Sequence, residues 1–139
     1  MDRPQLLTEL VDEVFRAGAV LLAEGDELAA GIGTTAAGWR VLGLLADGAA
    51  TVADIARRRG LRRQSVRETV ERLERDGLVV REPNTADRRA PLVALTDRGR
   101  AALRAVEPAR ADWAERRSAG LDPADLVAAL RLLRRLREG

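Results

Sequence analysis

The chain has no cysteine, histidine, tyrosine or lysine among its 139 residues. Without cysteine there is no disulfide framework and no thiol to oxidise, which excludes thiol-based sensing and fits a cytoplasmic protein. Without histidine or cysteine the imidazole and thiolate ligands of transition metals are missing, so no metal or other cofactor is expected. The same gaps leave no nucleophile–base pair, and no glycine-rich phosphate loop is present, so an enzyme is not expected. Aromatic residues make up 2%, namely Phe15, Trp39 and Trp113. The core must be built from leucine, valine, isoleucine and alanine, which favours helices. No run of about 18 apolar residues occurs, so no membrane span is expected. The start, MDRPQLLTEL, carries acids early and lacks a signal-peptide layout.

What is present is arginine. All 24 basic residues are Arg, and the formal net charge is +2. Their placement is uneven. From Arg57 to Arg104 there are 14 arginines against seven acids, a local +7. The remainder holds 10 arginines against 15 acids, or −5. A basic middle between acidic flanks is the footprint of a nucleic-acid-binding segment, although a merely solvated basic face gives the same pattern.

Taken in order, the chain starts with a helix from about Pro4 to Ala30. Leu6, Leu7, Leu10, Val11, Val14, Phe15, Leu21, Leu22 and Leu28 recur at steps of three, four and seven. Such a stripe is longer than one small core needs, and the surplus points to a second chain. A helix over Ala36–Ala46 follows, capped by Thr34 or Thr35, with Trp39, Val41, Leu42, Leu44 and Leu45 on its apolar side. Thr51 caps a short helix, Val52–Arg59, with Asp54 three residues on as a capping-box variant. Gly60-Leu61 forms a turn into a helix over Arg62–Asp76, with Val66, Thr69, Val70 and Leu73 on one face. Two helices joined by a short turn containing glycine are a helix-turn-helix. Gly77 stops the second, and two short β-prone runs, Leu78–Glu82 and Pro91–Leu95, flank the turn-rich PNTADRRA. This predicts a two-stranded hairpin and therefore a winged helix. Thr96 caps a long helix to about Ser118, which Pro108 should kink. After Gly120, Asp122 as N-cap and Pro123 start a last helix with Leu126, Val127, Leu130, Leu133 and Leu136 on one face.

The run SVRETVERLERDGLVVREPNTADRRAPLVALTDRGRAAL, Ser65 to Leu103, resembles the MarR family of bacterial transcription regulators. LERDGLVVR, DRRA and LTDRG at this spacing carry the likeness, and TTAAGWRVLGLL (Thr34 to Leu45) is similar to the family's second helix. The resemblance implies a mainly α fold with a small two-stranded β-wing. On that pattern residues 1–33 are expected to form a dimerisation helix, 34–96 the winged helix-turn-helix and 97–139 the C-terminal dimerisation helices. It implies a homodimer in which the first, fifth and sixth helices interlock and two winged helices bind a roughly palindromic operator on double-stranded DNA. It further implies a repressor, with release by a small aromatic or amphipathic effector as in many members. The chain departs from the family's usual residues at Arg62, Arg67 and Glu68, so no operator sequence carries over. Two other readings stand beside this one: a winged-helix interaction module without DNA binding, and an enzyme.

On the DNA reading, Arg62, Arg63, Gln64, Ser65 and Arg67 are the recognition-helix contacts. The major groove, about 12 Å wide, admits one helix. Arg63 and Arg67 can each grip guanine O6 and N7, Gln64 can pair with adenine, and Ser65 can contact phosphate. Glu68 can accept from cytosine N4 or pair with Arg72 four residues on, and the intrahelical pair is favoured; Glu71 with Arg75 has the same explanation. At the wing tip Arg89 suits the minor groove, where a narrow width concentrates negative potential, and Arg88 suits phosphate. Asp87 is expected to hold the wing by accepting from the tip backbone or an arginine. Phe15, Trp39 and Trp113 are the candidate lining of an effector pocket, although aromatics on helical stripes are more often core.

Overall fold

The computed structural model describes all residues, Met1–Gly139. The order is α1 (Arg3–Ala30), α2 (Ala36–Leu45), β1 (Ala50–Thr51), α3 (Val52–Arg59), α4 (Arg63–Arg75), β2 (Val79–Glu82), β3 (Leu92–Leu95), α5 (Asp97–Ser118) and α6 (Pro123–Glu138). No helix is long and apolar enough to cross a membrane. The chain forms two compact units, Met1–Glu107 and Pro108–Gly139, with the boundary inside α5. Helix α5 runs unbroken through Pro108.

The first unit holds one aliphatic core. Val41, Leu42, Leu44 and Leu45 of α2 meet Ile55 and Ala56 of α3, Val66, Val70 and Leu73 of α4, and Val79, Val93 and Leu95 of the sheet. Leu42, Ile55 and Leu73 are the largest fully enclosed side chains, each stabilising by roughly 1.5–3 kcal/mol relative to exposure. None of the three aromatics belongs to this core, so aliphatic packing alone fixes the domain.

Helix ends follow local chemistry. Thr35 accepts from the Gly38 N–H at 3.1 Å and Thr51 from the Asp54 N–H at 3.1 Å. Asp26 of α1 accepts from the Ala36 N–H at 2.8 Å, so a carboxylate from one helix satisfies a free donor at the start of the next. Gly60 ends α3 in the left-handed conformation, φ 65°, which lets Leu61 bond back to the Ala56 carbonyl. At that end Arg40 donates to the Arg59 carbonyl at 3.0 Å, and Arg59 donates to the Arg40 carbonyl at 3.1 Å. This bracket ties α3 to α2. Burial, with Arg40 and Arg58 close by, pulls the Arg59 pKa down.

The sheet has three strands in the order β1-β3-β2, all antiparallel. The sequence reading predicted two. The third, Ala50–Thr51, pairs Ala50 with Val93 and Thr51 with Leu92. In the hairpin Val79 faces Leu95 and Arg81 faces Val93, so Arg81 lies on the core side of the sheet. From there it reaches Glu74 of α4, Nε to Oε1 3.4 Å, and links the wing's base to the helix before it.

Thr96 fixes the start of α5. Its hydroxyl donates to the Gly77 carbonyl at 2.6 Å and accepts from the Gly99 N–H at 3.1 Å. Gly99 is buried, and a Cβ there would run into the Leu78 carbonyl oxygen. Within the same first turn, Arg100 donates to Asp97 at 2.7 Å and holds that carboxyl below its usual range.

The second unit holds the rest of α5 and all of α6. Asp122 accepts from the Ala124 N–H at 2.9 Å, and Pro123 opens α6. No α6 residue is buried, and Leu126, Val127, Leu130, Leu132, Leu133 and Leu136 are 41–53% exposed. In the first unit α1 has the same character: only Ala29 is buried, while Leu6, Leu7, Val11, Val14, Leu21 and Leu22 are 40–55% exposed.

Candidate nucleic-acid interface

The core-facing stripe of α4 determines what its other face presents. Val66, Val70 and Leu73 point inward, so Gln64, Arg67, Glu68, Glu71 and Arg75 point out and are exposed. Arg62, Arg63 and Ser65 stand exposed at its start. The helix begins one residue later than expected, with Arg62 as N-cap in an extended conformation and no side-chain cap. The first-turn N–H groups therefore have no side-chain acceptor, and the positive end of the helix dipole lies beside Arg62 and Arg63. That combination favours a phosphate oxygen. Replacing Arg62 by Ser should supply the missing cap and stabilise the fold by about 1 kcal/mol. The same change should weaken DNA binding; a thermal melt and a binding titration read the two opposed effects.

Two expected ion pairs on this face are absent. Glu68 does not pair with Arg72, nor Glu71 with Arg75. Glu68 Oε1 instead accepts from Gln64 Nε2 at 3.2 Å, and Gln64 Oε1 accepts from Arg67 Nη1 at 3.2 Å. Both i+4 and i−4 partners lie within reach on a helix surface, and the Gln64 amide occupies the carboxylate first. Arg72 and Arg75 remain free cations toward the C-terminal end of α4, where the helix dipole favours them.

The wing tip is a built turn between β2 and β3. Asn84 Nδ2 donates to the Ala90 carbonyl at 2.9 Å while its Oδ1 accepts from the Ala86 N–H at 3.1 Å. Asp87 Oδ1 accepts from the Arg89 N–H at 3.0 Å, with Arg89 Nε 3.8 Å away. The Arg89 side chain is 96% exposed. Arg88 is also exposed and has no acid partner. Sequence reasoning missed Asn84. The signal was there, since asparagine just after proline in a loop commonly bonds its own backbone two residues on.

This is an uncapped helix start, an arginine-rich outward face and a clasped basic loop, held on one core. A model of the MarR family matches residues 32–90, which span α2 to the wing tip. An uncharacterized protein of Mycobacterium tuberculosis is 35% identical over 130 residues, 94% of this chain and 91% of its own length. The chain belongs to the MarR family. BpsR of Bordetella bronchiseptica, whose DNA binding is regulated by 6-hydroxynicotinic acid, is 31% identical with a TM-score of 0.81 over 92% of each chain. A mutant MarR of E. coli, solved with operator DNA, shares the fold with a TM-score of 0.84 at 20% identity, over 98% of this chain and 99% of its own. As a MarR-family protein the chain is a DNA-binding transcription regulator and not an enzyme.

The candidate effector aromatics lie on three different helices. Phe15 is 75% exposed on α1 and Trp39 is half-buried on α2, while Trp113 is half-buried in the second unit. The first unit also has an open cleft of about 490 Å³. Its walls include Ile32, Leu78, Arg98, Ala101 and Ala105, and none of the three aromatics.

Proposed function

We propose that this MarR-family protein acts as a homodimeric repressor, with the two α4 helices entering successive major grooves of a roughly palindromic operator. The observation that carries the contact assignment is the state of the arginines. Arg62, Arg63 and Arg88 are exposed without an acid partner, and Arg67 is held only by a neutral amide. Cations left unpaired are free to neutralise phosphates and grip guanine edges. Arg62 and Arg88 take phosphate, Ser65 adds a neutral phosphate contact, and Arg63, Gln64 and Arg67 meet base edges. Arg89 enters the minor groove, and Asp87 keeps the wing turn in shape.

A second copy of the chain is the partner for the bare apolar faces of α1 and α6. Monomeric proteins rarely leave such stripes open, and two-fold symmetry covers equivalent faces at once. The dimer spaces the half-sites by about 10 base pairs, one helical turn. Bound there, it blocks a promoter. Release by a small aromatic or amphipathic effector is part of the same reading. Its support is the regulation of BpsR by an aromatic acid.

Selection of bound duplexes from a random pool tests this reading. An enriched inverted repeat is the expected result, and no enrichment overturns it. On the enriched duplex, Arg89→Ala should weaken binding about tenfold without lowering the melting temperature, in line with roughly 1–3 kcal/mol for one good base contact. Unchanged affinity removes Arg89 from the interface.

A further inference from the structure

Three exposed side chains on α4 form one chain of hydrogen bonds. Glu68 Oε1 accepts from Gln64 Nε2, and Gln64 Oε1 accepts from Arg67 Nη1, each at 3.2 Å. The chemistry of the two ends fixes the middle. A carboxylate only accepts and a guanidinium only donates, so the Gln64 amide has one orientation that satisfies both. Arg67 uses one of its five N–H groups in this chain. The others remain for a guanine O6 and N7.

The fold does not need this chain. Val66, Val70 and Leu73 already anchor α4 to the core, and all three polar side chains are exposed. Nor does Glu68 neutralise Arg67, because the amide separates them. What the chain does is restrict a long side chain. An untethered arginine samples many rotamers and loses that freedom on contact. One held at Nη1 presents its fork in a single direction before DNA arrives.

We propose that Glu68 is a positioning residue for base reading, acting through Gln64 to aim Arg67 at its base pair. This rests on the DNA-binding reading above. It gives a role to an acid that would otherwise only repel phosphate.

The test is selection from a random duplex pool with the full-length wild type and four variants. Arg67→Ala first identifies the base pair that Arg67 reads, as the position whose preference disappears. Glu68→Ala should then lower the preference at that same position about tenfold, with an unchanged thermal melt. Glu68→Gln keeps an acceptor for Gln64 and should hold that preference within about twofold. Gln64→Ala removes the link and should repeat the Glu68→Ala result at the Arg67 position. Both Glu68 variants should bind unrelated DNA more tightly, since an acid has gone from a phosphate-lined groove. Glu68→Ala with undiminished preference at the Arg67 position overturns the inference, as does an equal loss in Glu68→Ala and Glu68→Gln, which would mean charge alone. A wild type that enriches no sequence overturns the DNA reading and this inference with it.

Discussion

Replacing Leu130 and Leu133 together by Glu is expected to turn the proposed dimer into monomers and to cost at least a thousandfold in operator affinity. Both side chains are a little under half exposed in the single chain, 49% and 43%, so the substitution removes no core contact. The cost falls on the interface. Two-fold symmetry places each substitution twice, so four leucines are lost. At about 1 kcal/mol for completing the burial of each half-exposed leucine, the loss is roughly 4 kcal/mol. Burying carboxylates adds to it. About 4.1 kcal/mol is a thousandfold in a dissociation constant. Operator binding follows, because a monomer engages one half-site and loses the effective concentration that links the two. Sedimentation velocity gives the mass and a titration gives the affinity. A variant that keeps the wild-type mass would remove the α6 face from the dimer interface.

Gly99→Val should have the largest effect on folding, destabilising the first unit by about 3 kcal/mol or more. The site is closed by backbone. A Cβ at Gly99 meets the Leu78 carbonyl oxygen and carbon and the Leu95 side chain, and that carbonyl already accepts from the Thr96 N–H at 3.2 Å. Backbone tied into the sheet cannot give way as a side-chain tip can, and overpacking of this kind typically costs 1–3 kcal/mol, occasionally more. β-branching adds steric demand at the first turn of α5. Gly99→Ala should show the same sign with a smaller loss. Gly38 provides the contrast, because the atoms that crowd it belong to the Thr34 and Leu73 side chains rather than to backbone. Urea unfolding followed by circular dichroism reads both variants, and an unaltered midpoint for Gly99→Val would refute the packing account.

How much of this was legible in the residues differs by element. The α4 stripe at Val66, Val70 and Leu73 and the stop at Gly77 are strong periodic and conformational signals, and the helix stands within one residue of its expected ends. The bare stripe of α1 was legible too, since a 28-residue amphipathic helix exceeds what one small core can cover. Strand β1 was not legible. Ala50–Thr51 is too short to show alternation, and it is a strand only because Val93 and Leu92 pair with it. The partner of Glu68 was underdetermined, because Gln64 and Arg72 lie equally far along the helix on either side. Only the placed side chains reveal that the amide wins. Arg81 with Glu74 and Arg40 with Arg59 are contacts between elements, and spacing along the chain carries no trace of them.

The central claim is that unpaired arginines on α4 and the wing neutralise DNA phosphates from both halves of a dimer. The salt dependence of binding to the selected duplex tests it most directly. With two phosphates neutralised per protomer, by Arg62 and Arg88, the plot of log K against log salt concentration should fall with a slope of about −4 for the wild type. Removing Arg88 from both protomers should make it shallower by about two. A wild-type slope near zero, or an Arg88→Ala slope equal to the wild type's, would contradict the account.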